Sequence, residues 1–280
     1  MQGRGEVQLT RRAAVLGSPV AHSLSPVLHG AAYGALGLTG WSYDRIDCAE
    51  DGLAGLLDGL GPEWAGLSLT MPLKRVALDL ADTASDLALA VGAANTLVFS
   101  PDGRYADNTD VTGMVDALRA AGVGRVDAAV VLGAGGTAQA ALAALAELGE
   151  RNPTVVVRDT ARARPLLDTA DRLDLDVRLR RWEADDLLAG ADVVISTVPR
   201  GAADGLTLTA ETAGVLFDVV YAPWPTPLAA RAQAAGYRVV SGLDLLLHQA
   251  GHQVRLMTGA PAPLDAMRTA LHAAVAAAQR

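Results

Sequence analysis

Cysteine is almost absent from this chain, which carries Cys48 alone. One cysteine excludes a disulfide within the chain and a metal site built on several thiolates, and it fits a reducing compartment. Long apolar runs are missing too: no stretch approaches the roughly 18 apolar residues that a membrane span needs, and no signal-peptide pattern opens the chain. We therefore expect a cytoplasmic protein with no membrane partner.

Aromatic side chains are scarce, at 4% of the 280 residues, whereas apolar residues make up 51%. We therefore expect a core of Ala, Val and Leu, as in proteins whose helices cover parallel strands. Positive charge is in deficit as well, because the net charge is −8. An acidic chain repels the phosphate backbone of a nucleic acid, so no nucleic-acid partner is expected.

Short apolar runs alternate with helical patterns in two successive parts of the chain, which predicts a two-domain α/β protein with mainly parallel sheets. In the first part the pattern predicts strands at 13–16, 42–46 and 66–69, helices at 26–36, 53–60 and 75–91, and a hairpin of 96–99 with 104–106. In the second part it predicts helices at 113–121 and 137–148, strands at 128–132, 154–157, 193–196, 215–219 and 237–240, and final helices at 243–257 and 264–279.

The clearest local motif lies between the strand predicted at 128–132 and the Ala-rich helix that follows it. It reads G-x-G-x-x-A, with Gly133, Gly135 and Ala138 at the fixed positions. Glycines there permit a tight turn and let backbone N–H groups approach a pyrophosphate, which the helix N-terminus also attracts. We therefore expect a dinucleotide to bind along Gly133, Ala134, Gly135, Gly136, Thr137 and Ala138.

The residues after the next strand bear on the choice of cofactor. An acid there binds the ribose 2′-hydroxyl of NAD, whereas an arginine pairs with the 2′-phosphate of NADP. Here Arg158 comes first, Asp159 follows, and Arg162 lies one helical turn further on. The two arginines favour NADP, while Asp159 keeps NAD open. Alternatively, all three are solvated charges at the start of a helix.

Hydride transfer to a carbonyl carbon requires a group that carries a proton to the oxygen. Lys74 ends the stretch Leu-Ser-Leu-Thr-Met-Pro-Leu-Lys just beyond a predicted strand, where partial desolvation and a nearby carboxylate would suit that task. Asp110, at the end of the hairpin, is the candidate partner, and Asn95 adds a carboxamide on the other limb. Each also has a structural interpretation: a surface lysine, a helix cap and a turn residue.

Several motifs in fixed order resemble those of a known family. They are Gly17-Ser-Pro-Val-Ala-His-Ser-Leu-Ser-Pro26, Leu69-Thr-Met-Pro-Leu-Lys74, Asn108-Thr-Asp110, Asp218-Val-Val-Tyr-Ala-Pro223 with Thr226-Pro-Leu228, and Gly242-Leu-Asp-Leu-Leu-Leu-His-Gln-Ala250. With the glycine motif they make the sequence resemble the shikimate dehydrogenases, which reduce 3-dehydroshikimate with NADPH in aromatic amino-acid biosynthesis. The resemblance runs from about Val15 to about Val254.

The resemblance implies roles for individual residues. Lys74 and Asp110 would form the catalytic pair, and the substrate would contact Ser23, Ser25, Thr70, Asn95, Tyr221 and Gln249. The cofactor set would add Arg158, Arg162, Thr197 and Gly242 to the glycine motif. The resemblance further implies a discontinuous substrate domain at 1–111 and 243–280 around a Rossmann domain at 112–242. No metal is expected, and the protein would act on a small molecule as a monomer or homodimer.

The sequence departs from the family pattern at three points. Ser68 stands where Asn is common, Leu245 where Met is frequent, and Arg158-Asp159 follows Val157 where the family writes Asn-Arg-Thr. The last departure leaves open a quinate/shikimate dehydrogenase that uses NAD, and outside the enzymes the alternative is a non-catalytic nucleotide-binding regulator. A metal on the i, i+4 pair His248 and His252 would lack a third ligand, and no Gly-x-Ser-x-Gly elbow indicates a serine hydrolase.

Overall fold

The computed structural model describes residues 10–182, 188, 190–206 and 214–278. The chain forms two compact units, of which the second comprises Leu89–Gly92 and Asp110–Gln249. The first takes the chain up to Ala88, over Ala93–Thr109 and from Ala250 onward. These boundaries differ from the predicted domain boundaries by two residues after Thr109 and by seven residues before Ala250. The predicted division of the chain into functional domains stays a prediction, and its first nine residues lie outside those described.

Helices and strands alternate along most of the described chain. In chain order they are β1 (Arg11–Gly17), α1 (Ser25–Ala35), β2 (Trp41–Asp47), α2 (Glu50–Asp58), β3 (Trp64–Leu69), α3 (Lys74–Asp79), β4 (Thr83–Ala84), α4 (Asp86–Val91), β5 (Thr96–Ser100), β6 (Gly103–Asp107), α5 (Thr109–Ala120), β7 (Ala129–Leu132), α6 (Gly136–Glu147), β8 (Thr154–Val157), a 3-10 turn (Thr160–Ala163), α7 (Arg164–Arg172), β9 (Arg178–Arg181), β10 (Val193–Ser196), β11 (Val215–Asp218), α8 (Pro227–Ala234), β12 (Arg238–Ser241), α9 (Gly242–Thr258) and α10 (Leu264–Ala278). None of the helices in the described ranges is both long and apolar enough to cross a bilayer.

The strands of the first unit form a mixed sheet in the order β2-β1-β3-β5-β6-β4. β1 runs parallel to β2 and β3, and β4 parallel to β6, whereas β5 is antiparallel to both β3 and β6. All six residues of β3 are buried, which explains why apolar residues dominate this central strand. Because β5 is antiparallel to β3, its first residues lie beside the carboxyl end of β3.

The strands of the second unit form a parallel sheet in the order β12-β11-β10-β7-β8-β9. The order reverses between β7 and β10, and such a switch point is where open α/β sheets bind ligands beyond the carboxyl ends of their strands. Gly133 follows β7 and Thr197 follows β10, so both lie at this switch point. Leu, Val and Ala make up most of the buried apolar residues, as the composition predicts.

The predicted fold class, a two-domain α/β protein with a Rossmann-like unit and mainly parallel sheets, is confirmed. The single helix predicted at 75–91 is wrong, because α3 and α4 are separated by β4, whose flanking residues bond to β6: Asp82 N donates to Arg104 O and Ser85 N to Ala106 O, both at 2.9 Å. β9, α7 and α8 were not predicted; β9 is a run of exposed arginines around one leucine and lacks an apolar signal. Gln279, the predicted end of the last helix, lies outside the described residues.

Candidate functional site

Lys74 begins α3 at the carboxyl edge of the first sheet. After β3, Thr70 N donates to Leu16 O at 2.9 Å, and Leu73 N donates to Thr70 O at 2.9 Å, so the segment turns directly into the helix. The Lys74 carbonyl accepts a hydrogen bond from Ala94 N at 2.7 Å, and its side chain is half-buried. Lys74 is also the only lysine among the 280 residues, a signal that sequence reasoning overlooked.

The loop that carries the predicted serines touches the segment before Lys74. A Cβ at Gly17 would lie 2.3 Å from Thr70 Cγ2, so the threonine methyl occupies the space that only glycine leaves open. Ser18 N donates to Met71 O at 3.1 Å across the same contact. The ends of β1 and β3 therefore hold the serine loop and Thr70 together.

Ser23 and Ser25 lie at the start of α1, where Ser25 N donates to Ser23 Oγ at 3.3 Å. Arg45 fixes this loop, since its Nε and Nη2 donate to Ser23 O at 3.0 and 2.7 Å. The guanidinium thereby places a positive charge beside two hydroxyl donors, an arrangement that favours a carboxylate. Sequence reasoning missed Arg45, because an exposed arginine within β2 carries no motif.

Asn95 is 2% exposed and lies where β5 begins, and its backbone O accepts from Leu69 N at 2.7 Å. Its Oδ1 accepts hydrogen bonds from Thr96 Oγ1 at 2.8 Å, from Thr109 N at 2.8 Å and from Thr109 Oγ1 at 3.1 Å. These donors identify the oxygen of the carboxamide, and Nδ2 is therefore its donor end. The first unit thus brings Ser23, Ser25, Thr70, Lys74 and Asn95 to one edge of its sheet.

Asp110 and Gln249 belong to the second unit, on α5 and α9. A Cβ at Gly113 would lie 2.8 Å from Gln249 N and 2.9 Å from Gln249 Cβ, so the two helices touch there. Asp110 precedes Gly113 by three residues and therefore shares its helix face. Gln249 is 7% exposed, and its Nε2 donates to Leu246 O at 3.0 Å. This contact brings the predicted carboxylate and the predicted glutamine to neighbouring helix faces.

A cavity of about 670 Å³ lies at the switch point of the second sheet. It is lined by Gly133, Ala134, Gly135, Val156, Val157, Arg158, Asp159, Arg162, Trp182, Thr197, Val198, Pro199 and Ala202. The cavity therefore unites the start of the glycine motif with both predicted arginines and Thr197. Sequence reasoning missed Trp182, because it follows the unpredicted strand β9.

The glycine turn has the geometry that a pyrophosphate cradle requires. Gly133 has φ +105, which residues with a Cβ rarely adopt, and a Cβ there would lie 2.6 Å from Thr197 Oγ1. Thr197 Oγ1 in turn donates to Leu132 O at 2.7 Å. Gly136, Thr137 and Ala138 form the first turn of α6, with Gly135 at its N-cap, so neither the cap nor the first residue has a side chain to cover the helix N-terminus. These residues fit a bound dinucleotide.

Asp159 is engaged within its own turn at the rim of this cavity. Its Oδ1 accepts from Ala161 N at 3.0 Å, which caps the 3-10 turn, and its Oδ2 lies 3.6 Å from Arg162 Nε. Both side chains are largely exposed, at 55% for Asp159 and 88% for Arg162. The acid that kept NAD open is thus partnered with one of the arginines that favour NADP.

Tyr221 lies in the loop between β11 and α8, and Asp218 closes that loop. Asp218 Oδ2 accepts from Thr226 Oγ1 at 2.6 Å and Oδ1 from Val220 N at 3.2 Å. Burial raises the pKa of the Asp218 carboxyl above its ordinary value, and burial also raises the pKa of the Tyr221 hydroxyl. Gly242 supports the same loop, because a Cβ there would lie 2.0 Å from Val219 O.

Within the described residues, no three or more His, Cys, Asp or Glu side chains are grouped where they could hold a metal ion. His248 and His252 both lie on α9 and both have other interaction partners.

Two family models match the chain. The shikimate dehydrogenase substrate binding domain matches residues 15–97, and the shikimate 5′-dehydrogenase C-terminal domain matches residues 242–272. A shikimate dehydrogenase (NADP(+)) from Caulobacter vibrioides is 43% identical over 261 residues, which cover 89% of this chain and 90% of the relative.

Solved structures resemble the chain over nearly its whole length. The shikimate dehydrogenase of Mycobacterium tuberculosis shares 48% identity with a TM-score of 0.86, covering 94% of this chain and 99% of that one. The shikimate 5-dehydrogenase of Thermus thermophilus, solved in complex with NADP(H) and shikimate, shares 34% identity with a TM-score of 0.83 and the same coverage of 94% and 99%.

Proposed function

The chain belongs to the shikimate dehydrogenase family, and we propose that it catalyses the reversible NADPH-dependent reduction of 3-dehydroshikimate to shikimate, in the biosynthesis of chorismate and the aromatic amino acids. The observation that carries the proposal is the edge of the first sheet, where the only lysine of the chain lies with Thr70, Asn95 and the serine loop. The proposal includes a cytoplasmic location.

The substrate is a cyclohexene carboxylate with ring hydroxyls and one ketone, and the candidate residues match these groups. Ser23 and Ser25 would donate to the carboxylate, with the charge of Arg45 beside them. Asn95, whose oxygen is already committed, would donate through Nδ2 to a ring hydroxyl. Thr70, Tyr221 and Gln249 complete the substrate set.

The nucleotide would lie on the glycine turn, with Arg158 and Arg162 at the 2′-phosphate and with Thr197 and Gly242 in supporting positions. When bound, NADPH supplies the hydride. Lys74, paired with Asp110, would hold a proton at the ketone oxygen and release it as negative charge develops there. Such acid catalysis is typically worth roughly 10²–10⁴-fold in rate.

Asp159 supports a second candidate, a quinate/shikimate dehydrogenase that uses NAD, because its carboxylate lines the same cavity. Initial rates with NADPH and NADH on 3-dehydroshikimate and 3-dehydroquinate separate the two. We expect the fastest turnover with NADPH and 3-dehydroshikimate. Faster turnover with NADH and 3-dehydroquinate would establish the second candidate. If neither ketone were turned over, the remaining candidate would be a non-catalytic nucleotide-binding regulator.

Lys74 can be tested against its own neighbour. Lys74→Ala should lower kcat by roughly 10²–10⁴-fold, and Lys74→Arg should fall nearly as far, since arginine keeps the charge but does not give up its proton. Arg75→Ala is the matched control, because it removes an exposed cation from the same turn of α3 and should leave kcat near normal. Near-normal turnover of Lys74→Ala would refute the assigned role.

A further inference from the structure

A directional chain of buried hydrogen bonds lies behind Asn95 in the first unit. Tyr43 Oη donates to Ser68 Oγ at 2.6 Å, and Ser68 Oγ donates to Gln253 Oε1 at 2.8 Å. Gln253 Nε2 donates to Thr96 Oγ1 at 3.0 Å, and Thr96 Oγ1 donates to Asn95 Oδ1 at 2.8 Å. Every residue after Tyr43 is at most 4% exposed. We call these five residues the Tyr43–Asn95 relay.

Gln253 sets the direction of the relay. Its Nε2 also donates to the backbone O of Asn95 at 3.2 Å, and a carbonyl only accepts, so this end of the carboxamide must be the nitrogen. The Thr96 hydroxyl then accepts a hydrogen bond from Gln253 Nε2 and donates its own hydrogen to Asn95 Oδ1 at 2.8 Å, which is nearer than Thr109 Oγ1 at 3.4 Å. Through Thr96, Gln253 therefore stabilises the same orientation of the Asn95 carboxamide that Thr109 N requires, with Oδ1 as the acceptor and Nδ2 as the donor.

The other end of the relay reaches the serine loop. Burial raises the pKa of the Tyr43 hydroxyl, an effect that Ser68 and Ser25 oppose, and the Tyr43 ring stacks on His29 with centroids 3.9 Å apart and planes 16° apart. His29 is fully buried, and its Nε2 lies 3.4 Å from Gln253 Oε1. The relay thus runs from Tyr43, which lies near Ser25, to Asn95, and Ser25 and Asn95 are the proposed contacts of the substrate carboxylate and of a ring hydroxyl.

We propose that Gln253 is a positioning residue, which acts through Thr96 to hold Asn95 with Nδ2 presented as a donor to the substrate. The inference rests on the proposed function, because it assigns Gln253 a part in the same reaction. Ser68, a departure from the family pattern, is part of this relay. Its hydroxyl connects Tyr43 to Gln253, which lies 185 residues after Ser68 in the sequence.

The test is a double-mutant cycle on kcat/KM for shikimate oxidation. Gln253→Met preserves length and removes both ends of the amide, and we expect a loss of about 10-fold, the usual effect of leaving buried polar partners unsatisfied. Thr96→Val cuts the relay one step later and should cost about as much. Because both changes cut the same chain, the double variant should lose little more than either single variant, rather than the roughly 100-fold that additive effects would give. KM for NADP should stay within about twofold.

The second unit supplies matched controls. Gln139 is 3% exposed, and its Nε2 donates to Pro165 O at 2.7 Å and to Thr169 Oγ1 at 3.3 Å. Gln139→Met and Thr169→Val therefore break a buried Gln–Thr contact of the same kind outside the relay. These controls should leave kcat/KM for shikimate near normal even where they lower the melting temperature.

Five outcomes distinguish the possibilities. Non-additive loss for Gln253 and Thr96, with controls near normal, supports the positioning role. Additive losses, no loss at all, or an equal loss in the Gln139 and Thr169 variants would overturn it while leaving the proposed function in place. A wild-type protein that does not oxidise shikimate would overturn the proposed function, and with it the role of Gln253.

Discussion

Replacing Asp159 by Asn separates two roles of one carboxylate beside the nucleotide cavity. Asp159 Oδ1 caps the 3-10 turn through Ala161 N, and Oδ2 pairs with Arg162. Asparagine keeps an oxygen for the cap, and it is about as good an N-cap residue as aspartate. The substitution removes only the negative charge. We therefore expect tighter binding of NADPH with little change in the free energy of unfolding.

The size of the gain follows from Coulomb's law. A phosphate group carries a charge of about −1.5 to −2 near neutral pH. Because Asp159 and Arg162 are mostly exposed, a dielectric constant close to that of water applies. At a separation of about 6 Å, the carboxylate and such a phosphate then repel each other by roughly 1 kcal/mol. Releasing Arg162 from an exposed ion pair costs about 0–1 kcal/mol. Both effects favour binding to the variant and together amount to about 1–2 kcal/mol, so we expect the Kd of NADPH to fall about 5- to 30-fold at low ionic strength.

The measurement is a titration of NADPH and NADH at roughly 0.01 M and 1 M salt, where the Debye length is about 30 Å and 3 Å. The gain for NADPH should shrink at high salt, and NADH, which lacks the 2′-phosphate, should gain nothing. Asp168→Asn is the matched control, because Asp168 also pairs with an arginine, Arg164 at 2.8 Å, but does not line the cavity. An equal gain in Asp168→Asn, or an equal gain for NADH, would refute this reasoning.

Two further predictions concern stability. His29 is fully buried, and burial lowers its pKa from 6.5 to about 3. As the pH falls below 6.5, the His29 imidazole is therefore protonated in the unfolded chain while it stays neutral in the folded chain. The free energy of unfolding should therefore drop by about 2 kcal/mol between pH 7 and pH 5. Urea midpoints at the two pH values should show that His29→Phe lacks this part of the drop. An equal drop in the wild-type protein and in His29→Phe would contradict the prediction. Gly242→Ala should lower stability by about 1–3 kcal/mol in thermal melts, because its Cβ would meet the backbone O of Val219. Gly30→Ala is the control, because Gly30 lies in α1 and a Cβ there would meet no atom within 4 Å, so this change should be neutral or stabilising. If Gly242→Ala were as stable as Gly30→Ala, the backbone at Val219 would have moved away at no cost, which would contradict the prediction.

The elements that the sequence predicts well are those whose signal is local. β3 and β7 are buried along their whole length, so apolar residues dominate both, with Ser68 as the one polar residue. The glycine turn lies between a strand and a helix, with its full motif in six residues. β9 shows the opposite case, since its exposed arginines are held in the sheet by pairing with β8 rather than by burial. β4 likewise forms because its backbone and the flanking Asp82 and Ser85 N–H groups find hydrogen-bond partners in β6.

The residues of the candidate site likewise fall into those with a local sequence signal and those without one. Lys74, Asp110 and Arg158 belong to short motifs, whereas Arg45 and Gln253 act through residues that only the folded chain brings near. Gln253 meets Ser68 across 185 residues and Asn95 across 158, and neither helical periodicity nor motif spacing encodes those contacts. Sequence reasoning named Gln249 on α9 as a substrate contact, but Gln253, one helical turn further on, is the glutamine that enters the buried relay.

The distribution of basic residues gives independent support to the chemistry proposed for Lys74. Of the 23 lysines and arginines, 22 are arginines, so this chain meets its other needs for positive charge with guanidinium groups. Arginine forms ion pairs and phosphate contacts as well as lysine or better, because its guanidinium is planar and stays protonated at all physiological pH values. Proton transfer is the task for which arginine is unsuited, because it requires a group that can release the proton and take it back. A single lysine, half-buried at the carboxyl edge of a sheet, therefore fits the proton transfer that we propose for Lys74.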